Sequence, residues 1–587
     1  MPPRANRAAT AAAKEATPTV NGTSTSTSTN NTRPQRGAAR AVNGVAEERK
    51  SAPPAKSRAK KDATPAVAPK ALPKRKKEAE NASEAETDEP APKRKKDEDE
   101  EAAVDADGDV DMEPQPKKAK TTTAPTPKRD PPKGPRRPKG KKIEVNPLRY
   151  TEPLKVFVFG EGGQGELGLG ATKKAIDVKR PRWNEALSNQ DIVRIATGGM
   201  HVVALTKDNK ILTWGVNDNG ALGRETSSGE QLKDMKEGDD EDSDSDSDDE
   251  TGGLNPLEAT PTAVSADHFP EDTVFVDITA GDSCSFALTT EGAVYGWGTF
   301  RKNEGILGFA RNNETANTPV YIDSITKVTQ LACGTNHVLA LTKDRHVFAW
   351  GNGQQNQLGR RVTERNLNEA LVPSRLGFHD TGFKRPSQRI AQIACGDYHG
   401  LAIAEDGHIW SWGANNYCET GHGENAGEDN ASVLTPRIIP SLEGKGVTTL
   451  EGGSHHNIAI TQDGEVLIWG RCDGSQTGIP PAQLEAIDDE DRVLKSENGK
   501  PKILIEPTVI PGLSNIVTGA CGPEHTIVIN KDGKAYSWGF SANYQTGQGT
   551  DDDIETPTLI DNTAVRDVKL IWAGAGGQYS ALASKRD

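Results

Sequence analysis

The feature that most restricts the fold of this 587-residue chain is an internal repeat. A glycine is followed sixteen residues later by a Trp-Gly pair, and this spacing recurs six times without error. Self-similarity at a fixed spacing is typical of repeat architectures, in which each unit buries its apolar face only against its neighbours. The pairs are Gly198 and Trp214, Gly281 and Trp297, Gly334 and Trp350, Gly396 and Trp412, Gly453 and Trp469, and Gly522 and Trp538.

Each unit has the pattern of a β-hairpin. In the first unit, the apolar-rich runs 201–205 and 211–214 flank a polar turn. Three later units carry Asp-Gly at the turn, where tight hairpins favour positive φ: Asp406-Gly407, Asp463-Gly464 and Asp532-Gly533. Uninterrupted units are 53 to 62 residues long. They are therefore longer than the roughly 40–45 residues of a WD-repeat blade, which indicates a different propeller family.

The two ends of the repeat region supply half-units that complete a ring. Residues 156–160 match only the second half of a unit, and residues 576–583 match only the first half. Pairing the two in one blade removes the exposed sheet edges that would otherwise promote aggregation. We therefore predict an all-β, seven-bladed β-propeller in which the N-terminal strand completes the last hairpin. The repeated glycines would permit close backbone approach, and the tryptophans would pack between blades.

Composition divides the chain near Tyr150, its first aromatic residue. Residues 1–150 hold 33 Lys and Arg against 22 Asp and Glu, whereas the rest holds 38 against 63. The segment 1–150 has too few apolar residues to pack and is predicted to be a disordered basic tail before a propeller at 151–587. Residues 225–262, which include the acidic run 237–250, are predicted to be a disordered insertion. That insertion either solubilises the protein or competes with DNA for the tail.

Several classes of protein are excluded by the sequence. No apolar stretch of membrane-spanning length and no secretory signal occurs. The six cysteines are widely spaced, which indicates reduced thiols rather than a zinc site or a disulfide framework. Residues 160–165 formally read G-x-G-x-x-G, but more Gly and Leu-Gly follow where a dinucleotide site needs a helix. No P-loop or covalent-catalysis motif appears, so we expect neither a metal nor a cofactor.

Four segments carry a family resemblance. Residues 160–170, 198–201, 217–224 and 297–301, the last reading Trp-Gly-Thr-Phe-Arg, resemble the regulator of chromosome condensation family, and the likeness extends over about 151–587. This resemblance implies a guanine-nucleotide exchange factor for the small GTPase Ran, monomeric, nuclear and associated with chromatin. Exchange needs no covalent chemistry, because a surface that binds the nucleotide-free GTPase more tightly must weaken nucleotide binding by the same factor. The alternative is a propeller scaffold without exchange activity.

The resemblance also suggests which residues contact the GTPase. Arg301 lies in a protruding hairpin at 299–308 that would act as a wedge, although it could be a solvated loop cation. Gly163, Asn336 and Tyr579 depart from the family pattern. Five histidines share one repeat offset and are predicted to be structural, with His456 as the exception. The implied contacts are Asp282, Phe300, Arg301, Asn336, His456 and Tyr579.

Basic residues imply two further partners. Arg136 and Arg137 belong to clusters suited to DNA phosphates, and Arg385 and Arg389 match a family loop that meets the acidic histone surface. Together they predict binding to the nucleosome. Two tetrads predict recognition by a nuclear-import receptor: Lys74, Arg75, Lys76 and Lys77, and Lys93, Arg94, Lys95 and Lys96.

Overall fold

The protein is described by a computed structural model that covers residues 143–227, 252–384 and 386–586. Its strands form seven antiparallel sheets arranged as the blades of a propeller, which confirms the predicted fold. The first two strands in the sequence, β1 (Leu154–Glu161) and β2 (Asp177–Trp183), belong to the last blade, blade 7. Blade 1 comprises β3 (Ile192–Thr197), β4 (His201–Thr206), β5 (Ile211–Gly215) and β6 (Thr262–Ala263).

Blade 2 contains an extra hairpin between its third and fourth strands. It comprises β7 (Phe275–Ala280), β8 (Cys284–Thr289), β9 (Val294–Gly298) and β12 (Ala316–Tyr321), with the hairpin β10 (Phe300–Lys302) and β11 (Gly305–Gly308). Blade 3 comprises β13 (Val328–Cys333), β14 (His337–Thr342), β15 (Val347–Gly351) and β16 (Ser374–Arg375). Blade 4 comprises β17 (Ile390–Cys395), β18 (His399–Ala404), β19 (Ile409–Ala414) and β20 (Ser432–Ile438).

Blade 5 gains a fifth strand from the segment 479–501. It comprises β21 (Val447–Gly452), β22 (His456–Thr461), β23 (Val466–Arg471), β24 (Val493–Lys495) and β25 (Pro501–Val509), with β24 at the outer edge beside β25. Blade 6 comprises β26 (Ile516–Cys521), β27 (His525–Asn530), β28 (Ala535–Gly539) and β29 (Ile554–Leu559). Blade 7 adds β30 (Leu570–Ala575) and β31 (Tyr579–Lys585) to β1 and β2.

Short helices occupy the connections between strands. The α-helices of the described segments are α1 (Glu185–Ser188), α2 (Pro256–Ala259), α3 (Leu367–Ala370) and α4 (Pro481–Glu485). The 3-10 turns are Lys173–Ala175, Ala266–His268, Glu364–Asn366 and Pro440–Leu442. None of the helices in the described part of the chain is long and apolar enough to cross a membrane.

The ring closes between the two ends of the chain, as predicted. Strand β1 pairs antiparallel with β31 from Leu154 opposite Lys585 to Gly160 opposite Tyr579. The first strand of the folded body therefore lies beside its last strand. Because the pair sits inside a four-stranded sheet, neither strand leaves an open edge.

The repeated glycines lie where the inner strands of neighbouring blades converge. A β-carbon at Gly198 would lie 2.4 Å from the carbonyl oxygen of Gly281 in the next blade, and one at Gly334 would lie 2.4 Å from that of Gly396. In all seven blades the glycine N–H donates, at 2.8–3.0 Å, to the carbonyl oxygen three residues later. The glycines are Gly198, Gly281, Gly334, Gly396, Gly453, Gly522 and Gly576.

The repeated tryptophans pack between neighbouring blades. All six are at most 1% exposed. Five donate their indole N–H, at 2.8–3.1 Å, to a backbone carbonyl of a turn in the preceding blade. Such a bond satisfies the one polar atom of a large buried ring. The acceptors are the carbonyl oxygens of Glu166, Ala221, Gln357, Glu419 and Gln476.

The structure corrects the predicted start of the folded body, because residues 143–150 pack on the propeller. The buried side-chain amide of Asn146 donates to the carbonyl oxygens of Thr289 and Val328 at 2.9 Å, which ties blade 2 to blade 3. The guanidinium of Arg194 lies 4.8 Å from the ring centre of Tyr150. These contacts hold the last residues of the predicted tail.

The predicted insertion 225–262 extends too far at its C-terminal end. Residues 256–259 form α2, whose cap Asn255 accepts a hydrogen bond from the backbone of Leu257. Leu254 and Ala259 are buried against the propeller. The acidic run 237–250, like residues 1–142, lies outside the described residues.

Replacing Asn146 by alanine should lower the free energy of unfolding by about 1–3 kcal/mol, because two buried carbonyl oxygens each lose a hydrogen bond. Equilibrium unfolding in urea measures this change. Leu148, which is 63% exposed in the same segment, provides the control Leu148→Ala, expected to leave stability unchanged. Equal stability of Asn146→Ala and the wild type would show that this segment does not belong to the folded body.

Candidate protein-binding face

The propeller has two faces that differ in which loops they carry. The loops after the repeated glycines and after the Trp-Gly strands lie on one side, which we call the wedge face because it includes the hairpin β10–β11. The tight turns between the second and third strands lie on the other side, which we call the turn face. Asn146 is bonded at one of these tight turns, beside Thr289 and Thr290, so the segment 143–150 lies on the turn face.

The wedge hairpin is held rigidly at its base. Phe300 is fully buried and packs against Phe286 and Phe309, with ring centres 6.2 and 6.0 Å apart. The backbone N–H of Arg301 donates to Asn336 Oδ1 at 2.7 Å, and the carbonyl oxygen of Arg301 accepts from Asn352 Nδ2 at 3.1 Å. The Arg301 side chain is exposed. The hairpin therefore projects a cation from a fixed backbone.

Asp282 lies beside this hairpin at the mouth of the central channel. The channel has a volume of about 800 Å³, and its lining includes Asp277, Asp282, Asp397 and Glu451. Burial raises the pKa of Asp282, and the hydrogen bond from Ser283 and the charge of Arg301 oppose this rise. The channel mouth on the wedge face is thus acidic next to a projecting arginine.

The structure brings together three of the six residues that were predicted to contact a GTPase. Asp282, Arg301 and Asn336 meet on the wedge face. Phe300, His456 and Tyr579, at 0%, 0% and 1% exposure, present no surface to a partner. The prediction of direct contacts for these three is therefore corrected, because each fills a position between blades.

His456 and Tyr579 have structural hydrogen bonds that explain their burial. His456 Nε2 bonds Thr526 Oγ1 at 2.8 Å in the next blade. The Tyr579 hydroxyl donates to the carbonyl oxygens of Gly198 and His201 at 3.1 and 2.8 Å. Both residues therefore join their blade to the next, at the offset where other blades carry histidine.

The turn face carries the predicted chromatin-binding loop. Arg389 is exposed and forms an ion pair with Glu405 at 2.7 Å, and Arg345 lies 3.2 Å from the same carboxylate. Phe383 packs edge-on against His408 and anchors the loop. Arg385, Arg136, Arg137 and both import tetrads lie outside the described residues. In the described part of the chain no three His, Cys, Asp or Glu side chains are placed to hold a metal ion.

A family profile for the RCC1-like domain matches residues 155–582. The chain belongs to this family. Guanine nucleotide exchange factor SRM1 of Saccharomyces cerevisiae is 40% identical to this RCC1-like protein over 440 residues, which are 73% of this chain and 87% of SRM1. The resemblance drawn from the sequence motifs is thereby confirmed.

Two solved structures share the RCC1-like fold and much of the sequence. The crystal structure of Prp20p from Saccharomyces cerevisiae, described with its binding properties to Gsp1p and histones, has a TM-score of 0.65 and 36% identity, and covers 74% of this chain and 92% of that one. Yeast RCC1 (Prp20) bound to Kap60 has a TM-score of 0.66 and 34% identity, and the match covers 79% of this chain and 97% of that one.

Sequence reasoning missed the wedge-face residues next to the buried positions of this RCC1-like domain. His455 is 26% exposed, and its Nδ1 lies 2.7 Å from Glu419 Oε1. Tyr398 occupies the equivalent loop position one blade earlier. A signal was available, because this second position after the repeated glycine varies freely from blade to blade: Met200, Ser283, Asn336, Tyr398, His455, Glu524 and Gln578.

Replacing His456 by glutamine should make the stability of the protein less sensitive to acid. Burial, more than the nearby histidines, lowers the pKa of His456 from 6.5 to about 3. Below pH 6.5 this histidine is therefore protonated in the unfolded chain while it stays neutral in the folded chain. Stability is therefore full above pH 6.5 and falls as the pH drops. Urea unfolding at pH 6.5 and 5 should show a loss smaller by about 1.5 kcal/mol in His456→Gln. An identical loss in both proteins would contradict a buried neutral ring.

Proposed function

We propose that this protein is a guanine-nucleotide exchange factor for the small GTPase Ran, and that it acts by binding alone. The family and the exchange-factor relative support this proposal, as does Prp20p, which was described with its binding to Gsp1p. Without a covalent step, the protein must bind the empty GTPase more tightly than the loaded one. By linkage it then weakens the hold of the GTPase on its nucleotide to the same extent.

The observation that carries the proposal is the fixed wedge hairpin beside an acidic channel mouth. A loop that yielded on contact would fit the loaded and the empty GTPase equally well and would shift nothing. Burial of Phe300 and the bond from Arg301 N–H to Asn336 remove that freedom. The Arg301 side chain then competes for anionic groups at the site where the GTPase holds its nucleotide. Asp282 and Asp397 attract basic segments of the partner to the same face.

The turn face is free to bind chromatin while the wedge face holds the GTPase. Arg389 lies on the turn face, and so do residues 143–150, which follow the basic clusters at 136–142 in the sequence. Clustered cations of this kind gain affinity for DNA by releasing counterions. Prp20p was described with binding to histones, which supports a chromatin-associated protein.

The basic tetrads at 74–77 and 93–96 fit recognition by a nuclear-import receptor. Yeast RCC1 has been solved bound to Kap60, which supports the same kind of partner for this chain. The protein would then reach chromatin in the nucleus ready to bind its GTPase.

Arg301→Ala and Asp282→Asn should slow the release of labelled GDP from Ran by roughly ten- to a hundredfold, because each removes a charge from the contact. The assay uses catalytic amounts of the full chain. Arg345→Ala on the turn face is the matched control and should release GDP at the wild-type rate. If the wild-type protein itself gives no acceleration, the chain is a scaffold and not an exchange factor.

The double substitution Arg385→Ala and Arg389→Ala should weaken nucleosome binding several-fold while GDP release from Ran stays unchanged, because the two sites lie on opposite faces. Electrophoretic mobility shifts with reconstituted nucleosomes measure the first effect. Arg301→Ala should give the reverse result. Wild-type nucleosome affinity in the double variant would remove the histone-binding role of this loop.

A further inference from the structure

Four of the five turns that accept the tryptophan of the next blade, and the equivalent turn of blade 6, bury a Glu or Gln side chain. In these five turns the Glu or Gln is at most 2% exposed, and one of its oxygens accepts, at 2.8–3.0 Å, the backbone N–H two residues earlier. That bond fixes the side chain and leaves its other polar atom directed elsewhere. The five residues are Glu166, Gln357, Glu419, Gln476 and Gln545.

In two blades the second polar atom meets the loop residue of the next blade, and the chemistry of the pair is matched. Gln476 donates from Nε2 to the carboxylate of Glu524. Glu419 instead presents Oε1, 2.7 Å from His455 Nδ1. A carboxylate can only accept, so the hydrogen of the His455 ring lies on Nδ1. Nε2 is then the nitrogen available on the wedge face.

The core histidines of the repeat have the opposite arrangement. Ser285 Oγ donates to the carbonyl oxygen of Ala221 and therefore accepts from His201 Nε2, at 2.8 Å. His399 Nε2 lies against the oxygen Oδ1 of Asn457. His455 thus differs from the repeat histidines in exposure, in the nitrogen that carries hydrogen, and in having a buried carboxylate as its partner.

The surroundings of His455 form a continuous patch on the wedge face. Its ring centre lies 4.6 Å from that of Tyr417 and 6.0 Å from that of Tyr398. Arg471 lies over the Tyr417 ring and forms an ion pair with Glu524 at 2.8 Å. The patch spans blades 4 to 6, while Asp282 and Arg301 belong to blade 2 on the same face. A GTPase that spans the channel mouth from the wedge hairpin to blade 5 would also cover His455.

We propose that Glu419 is a positioning residue for nucleotide exchange. Its buried carboxylate holds the His455 ring and its Nδ1–H, so that Nε2 faces the bound GTPase; this inference rests on the proposed function. Buried carboxylates orient metal-binding histidines in the same way. Tyr398 and Tyr417 flank the ring and keep it from turning away.

Glu419→Gln tests the proposal without disturbing the turn, because Gln occupies the equivalent position in three other blades. There the amide oxygen accepts the turn N–H, as at Gln476, whose Nε2 then faces outward. At position 419 that Nε2 would face His455 Nδ1, which would have to accept. The ring hydrogen would move to Nε2, and the wedge face would present a donor in place of an acceptor.

The experiment measures GDP release from Ran by the full chain, together with the ¹⁵N shifts of the His455 ring, assigned through His455→Gln. Glu419→Gln should raise KM for Ran–GDP by about five- to tenfold and leave kcat within about twofold. The melting temperature should stay the same, and the ring hydrogen should move from Nδ1 to Nε2. Adding His455→Gln should raise KM no further than His455→Gln alone.

The reverse exchange Gln545→Glu, at the equivalent turn of blade 6, is the matched control and should leave KM unchanged. An unaltered KM in Glu419→Gln, a lower melting temperature, or additive effects with His455→Gln would each overturn the positioning role. Absence of exchange by the wild-type protein would instead overturn the proposed function, and the two failures are thereby separate.

Discussion

The closest approach of neighbouring blades, at the repeated glycines, is the constraint on which the rest of the structure depends. A carbonyl oxygen of the next blade lies where a β-carbon of Gly198 or Gly334 would be, so a larger residue would push the inner strands apart. Five of the seven repeated glycines, Gly198, Gly281, Gly334, Gly453 and Gly522, make such a contact with the next blade, and these contacts limit the diameter of the ring. Indole hydrogen bonds then join five of the seven blades to a turn of the preceding blade, and the paired termini close the last gap. If the ring were wider at these glycines, all of these contacts would be displaced together, because protein interiors pack densely.

The residues proposed to contact a partner lie where this constraint ends. The residues one and two positions beyond each glycine lie in the loop that follows the inner strand, at the rim of the central channel. Their backbone is fixed by the ring, whereas their side chains differ from blade to blade. Asp282, Asp397 and His455 are of this kind. Seven rigid loops with seven different side chains give a wide surface whose shape costs little entropy on binding. The wedge hairpin adds to this surface from the third strand of blade 2, and Asn336 at the rim of blade 3 holds it in place.

The sequence sufficed for features that repeat and failed for features that occur once. The constant spacing of Gly and Trp predicted the hairpins, and the two half-units predicted the closed seventh blade. Asn146 has no periodic signal, because its role comes from two carbonyl oxygens more than 140 residues away in sequence. Helix α2 is one turn long and depends on the cap at Asn255 and the burial of Leu254 and Ala259, which composition does not reveal. His456 was chosen over His455 although four other blades carry histidine at its offset, and that repetition itself indicated a core position.

The proposed exchange by binding alone would require a rigid contact surface, and the architecture provides one. Binding energy weakens the hold on nucleotide only when it differs between the loaded and the empty GTPase. A compliant surface adapts to both forms and loses that difference, whereas a surface fixed by the ring fits one. Glu419 fixes the partly exposed ring of His455, and Phe300 fixes the hairpin that carries Arg301. Both buried side chains therefore restrict the movement of an exposed group. Rigidity built for closing a propeller therefore also supplies the selectivity that nucleotide exchange requires.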